Sequence, residues 1–91
     1  MVERKGNAMT RAEVLAHYGL IDGPDLVVDL IKEAGVMWRV AIRAAGNPVT
    51  ALPPSRALEL SAELRQIDEK LADRIALEAN KARRYQSGDD R

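Results

Sequence analysis

Residues 24–45, PDLVVDLIKEAGVMWRVAIRAA, decide the fold. Val27, Leu30, Ala34, Met37, Ala41 and Ala44 follow one another at spacings of three and four, the recurrence that keeps one face of an α-helix dry. Ile31, Trp38 and Ala45 widen the same stripe. Pro24 suits a first helical position, and Asp25 and Asp29 fall where the helix dipole favours negative charge. The spacing predicts one helix from about Pro24 to Ala45. A competing reading breaks it into two short helices at Gly35, because a mid-helix glycine costs about 1 kcal/mol relative to alanine.

Downstream, Gly46-Asn47-Pro48 stops that element, and residues 49–54 leave little room for regular structure. From Pro54 to about Tyr85 the chain reads as one long amphipathic helix. Its apolar stripe is Leu60, Leu64, Ile67, Leu71, Ile75, Ala79 and Ala82, and charged residues fill the other faces. A short connection between two long helices makes them antiparallel. Folding there brings Arg39 and Arg43 towards Glu59 and Glu63, and Asp25 and Asp29 towards Lys70 and Arg74. Each such exposed pair is worth only about 0–1 kcal/mol.

Upstream, Thr10-Arg-Ala-Glu13 fits a capping box and Gly19 a helix terminator, so a short helix is expected between them. Asp22-Gly23-Pro24 reads as a turn. Residues 1–9 read as a flexible lead, residues 10–85 as a single helical domain and residues 86–91 as a flexible tail. The fold expected is therefore all-α: a short N-terminal helix followed by a long antiparallel helical hairpin with coiled-coil-like packing. At about 1.5 Å per residue the second long helix outruns the first, so self-association is expected to cover its C-terminal end.

Composition narrows the functions. Fourteen basic and fourteen acidic side chains balance, whereas backbone-driven nucleic-acid binders carry a basic excess. The chain has no cysteine, which removes disulfide frameworks and thiolate metal sites. No secretory signal or membrane-length apolar run is visible, and a cytoplasmic location is the expectation.

Candidate chemistry is sparse. His17 is the sole histidine and stands near a helix end, where a cation is mildly favoured. Asp22, Asp25 and Asp29 cluster around the expected helix start, where capping and dipole effects account for them, and no metal site is assigned. Trp38 with Arg39 and Arg43 reads as a core aromatic beside solvated arginines. Neither a catalytic residue nor a cofactor is expected.

These features together suggest a small non-catalytic protein–protein interaction module: an adaptor, regulator or assembly factor. Its partner is itself or another protein, and its surface is Leu71, Ile75, Ala79, Ala82 and Tyr85. The alternative is a nucleic-acid-associated oligomeric accessory, antitoxin-like or packaging-subunit-like, that uses Lys81, Arg83 and Arg84, a cluster that would equally suit an acidic partner.

Overall fold

The computed structural model describes residues 9–33 and 37–87. In chain order they form α1 (Arg11–His17), β1 (Val27–Glu33), β2 (Met37–Arg43), β3 (Thr50–Leu52), α2 (Pro54–Leu64) and α3 (Glu69–Ser87). The architecture is mixed α/β, a three-stranded antiparallel sheet packed against three helices, and it overturns the all-α expectation.

The expected helix over residues 24–45 is two strands. β1 and β2 pair from Val27↔Arg43 to Glu33↔Met37, and β3 joins β2 through Val40↔Leu52 and Ile42↔Thr50, giving the order β1-β2-β3. The segment is so densely apolar that it satisfies a period of two as well as one of 3.6. Branching then decides. Val27, Val28, Ile31, Val40 and Ile42 lose rotamer freedom on a helix and pack well on a pleated surface. Val28, Val40 and Ile42 face the core. Gly35 itself lies outside the described residues.

The expected long helix over residues 54–85 is also two elements. α2 stops at Leu64, and Asp68 restarts the chain as α3 by accepting the Leu71 amide on Oδ1 at 3.1 Å. An antiparallel helical hairpin does exist, built from the halves of what reads as one helix. Leu60, Leu64, Leu71, Ile75, Ala79 and Ala82 are all buried, so the stripe is filled within the chain. Ile67, in phase with them, falls in the turn and is exposed. Across the hairpin, the buried Ser61 hydroxyl donates to the Ala72 carbonyl at 2.6 Å. Arg65 meets Asp73 at 2.6 Å.

The expected charge matching does not form either. Glu59 pairs with Arg56 at 2.9 Å, and Glu63 accepts the Tyr18 hydroxyl. Arg74 donates to the Val28 carbonyl at 3.1 Å and approaches Glu78 at 3.7 Å.

The expectations for the first helix hold in detail, while the lead expected over residues 1–9 lies, but for Met9, outside the described residues. The Thr10 hydroxyl accepts the Glu13 amide at 3.2 Å, and Glu13 accepts the Thr10 amide at 2.8 Å. Gly19, at φ +77°, closes α1: its amide donates to Ala16, and the Leu20 amide donates to Leu15. Val14, Leu15 and Tyr18 enter the core. Arg11 then ties three parts of the chain together. It meets Asp22 at 2.7 Å and Asp68 at 2.9 Å, and donates to the Gly23 carbonyl at 3.3 Å. Its pKa is raised, first by the hydrogen bond to Asp22. Asp68 is held below the ordinary carboxylate range, first by the Leu71 amide and then by Arg11.

Candidate functional site

Two surfaces stand out, at the C-terminal end of α3 and on the open side of the sheet. Leu71, Ile75, Ala79 and Ala82, expected as an interaction surface, are core residues with 9% exposure or less. Tyr85 is half-buried, its ring 4.9 Å from that of Trp38. This contact closes the end of α3 onto β2. Lys32 sits 5.5 Å over the Trp38 ring.

The basic cluster is divided. Lys81 turns to Glu78 at 3.6 Å, while Arg84 is exposed and engaged elsewhere. Arg83 lines a groove of about 560 Å³ with Met37, Trp38, Arg39, Pro53, Pro54, Ser55, Leu58 and Gln86. The groove exists because β3 ends at Leu52, where Pro53 and Pro54 lead directly into α2. Proline has no N–H to continue a ladder. The Trp38 amide, two residues past Val40, the last β3 pairing partner, is taken instead by Gln86 Oε1 at 2.9 Å.

The second surface follows from the pleat. Successive strand residues point to opposite faces. The helices pack with the face carrying Val28, Val40 and Ile42. On the other face lie Val27, Asp29, Ile31, Met37, Arg39, Ala41, Arg43 and Ala51, with Val49 just before β3. Val27 is 37% exposed, Met37 44% and Val49 53%. Asp29 and Arg43, of opposite sign, are exposed among them.

The remaining candidates are structural. His17 is exposed in the last turn of α1. Asp22 holds Arg11, and Asp25 takes a left-handed conformation, φ 53°, ahead of β1 instead of sitting in a helical turn. Among the described residues no group of three potential metal ligands converges. None of the described helices is long and apolar enough to cross a membrane. The Tyr18 hydroxyl is pushed up to about 12, first by burial and then by the hydrogen bond to Glu63. Arg56 stacks over its ring at 4.3 Å.

Sequence reasoning named Arg83 and Tyr85 but missed Gln86 and the turn residues Pro53 and Pro54. The Pro-Pro pair was the available signal, since it cannot extend a strand and leaves its neighbour's edge unpaired. Comparison with protein-family models, with curated proteins and with solved structures finds no match.

Proposed function

We propose that the protein is a small protein-interaction module that associates with a second copy of itself through the open face of its sheet. The observation that supports this is the mixture on that face: Val27, Met37 and Val49 are exposed beside Asp29 and Arg43. Apolar area supplies the drive for association, and charges of both signs make the face complementary to itself. A two-fold axis over the sheet sets Asp29 of one copy against Arg43 of the other. The apolar stripe of α3 takes no part, because it is already buried.

The test is sedimentation of the wild type and of charge variants across a concentration series. Arg43→Glu and Asp29→Arg should each shift the mass towards monomer. The double variant, which restores opposite signs, should recover the dimer. A wild type that stays monomeric at about 100 μM, or a double variant no better than the singles, would falsify this reading.

A further inference from the structure

We infer that the groove beside β2 binds an extended acidic peptide segment of a partner protein, whose main-chain carbonyl replaces the Gln86 side chain at the Trp38 amide. Met37, Trp38 and Arg39 are consecutive and all line the groove. Strand side chains alternate between faces, so three in a row line a groove only where the strand presents its edge. That edge is open because the β2–β3 pairing ends at Val40↔Leu52 and the next two residues are prolines. Gln86 Oε1 is an amide carbonyl oxygen, the same acceptor chemistry that a peptide backbone offers. An incoming strand would therefore exchange like for like, as in recognition by strand addition.

The walls give the peptide its character. Arg39 and Arg83 line the groove, and among the described residues that line it there is neither Asp nor Glu. Acidic side chains on the helix side of an extended segment meet the exposed Arg83 guanidinium, and the alternate side chains rest on Met37 and Pro53. The volume, about 560 Å³, falls within the range of ligand sites. A single-stranded nucleic acid fits less well. Binding of that kind uses free aromatic faces, whereas the Trp38 ring is already contacted by Tyr85 and Lys32. Met37 and Arg39 border both the groove and the sheet face of the dimer reading, whereas Trp38, Arg83 and Gln86, whose signals and variants decide the test, belong to the groove alone.

The experiment is a nuclear magnetic resonance titration of the full chain with a capped hexapeptide of alternating Glu and Val, beside its Lys/Val counterpart and oligodeoxythymidine. The Glu/Val peptide should shift the Trp38 backbone amide, the Gln86 side-chain amide and the Leu58 amide, with affinity falling as salt rises. Arg83→Glu should weaken it roughly tenfold. Gln86→Ala, which removes the internal competitor, should tighten it several-fold. Thermal melts establish that both variants are folded, and the Gln86 variant decides if the Arg83 variant is not. The inference is overturned if the Glu/Val peptide leaves those resonances unmoved at about 1 mM. It is equally overturned if the Lys/Val peptide binds as well, if Gln86→Ala binds no tighter, or if only the oligonucleotide shifts the Trp38 amide.

Discussion

The Ser61 hydroxyl on α2 donates to the Ala72 carbonyl on α3 across 2.6 Å, in a site where Ser61 is 3% exposed. The bond holds the two helices at close approach over a small side chain. Ser61→Ala removes the donor without adding volume and should cost about 1 kcal/mol. For a domain of this size that lowers Tm by about 4–8 °C, read from a circular dichroism melt. An unchanged Tm would show that the contact contributes nothing net.

Asp68 serves α3 and Arg11 together, and the two roles separate by substitution. Asp68→Ala loses the cap on the Leu71 amide and should cost about 1 kcal/mol. Asp68→Asn keeps an oxygen for that amide but loses the charge that meets Arg11, so it should cost less. The folded-state pKa of Asp68 is lowered. Its ionic contribution is therefore full above the unfolded value, about 4, and disappears as pH falls through the lower folded value. Urea melts in that acid range should show a shallower loss of stability for Asp68→Asn than for wild type. Parallel acid limbs would remove Asp68 from the account.

Tyr18 sets the alkaline limit. Its folded pKa is about 12, against about 10 in an unfolded chain. Stability from its protonated form is full below pH of about 10 and falls as pH rises through the folded value. Tyr18→Phe should flatten that decline, although it loses the hydrogen bond to Glu63 at neutral pH. Guanidinium melts over the alkaline range, with tyrosinate absorbance followed in parallel, compare the two chains. Equal alkaline slopes would rule Tyr18 out as the cause.

Gly23 lies against Ala44, the buried residue that follows β2. A Cβ added there would meet the Ala44 Cβ at 2.8 Å. Gly23→Ala should destabilise by about 1–3 kcal/mol, as overpacking does. Ala44→Gly in the same chain should return part of that loss, although glycine near a strand end carries its own entropic cost. The cycle of four melts measures the coupling. Additive losses would mean that the loop moves aside freely.

Local punctuation was legible in the sequence, and the meaning of long apolar runs was not. Thr10, Glu13 and Gly19 act through neighbours a few residues away, so their roles follow from spacing alone. Residues 24–45 carry too many apolar side chains for periodicity to choose between helix and strand. The branched Val and Ile residues hold that information, and the helical phase kept across Gly35 masks it. At residues 54–85 the reverse occurred. Leu64, Ile67 and Leu71 keep helical phase across the turn, which hid the break, while Asp68 marked it as a capping residue. The groove required a third level, since Trp38 and Gln86 meet 48 residues apart through tertiary closure.

Trp38 is the chain's single tryptophan, and it lies where β2, the end of α3 and the groove converge. Its emission is therefore a built-in optical gauge that needs no label. Undocking of α3 removes the Tyr85 ring from its side and should change both intensity and wavelength, whereas filling the groove dries its edge with α3 still in place. A quencher in solution distinguishes the two, because undocking admits it to the indole and a seated ligand keeps it out.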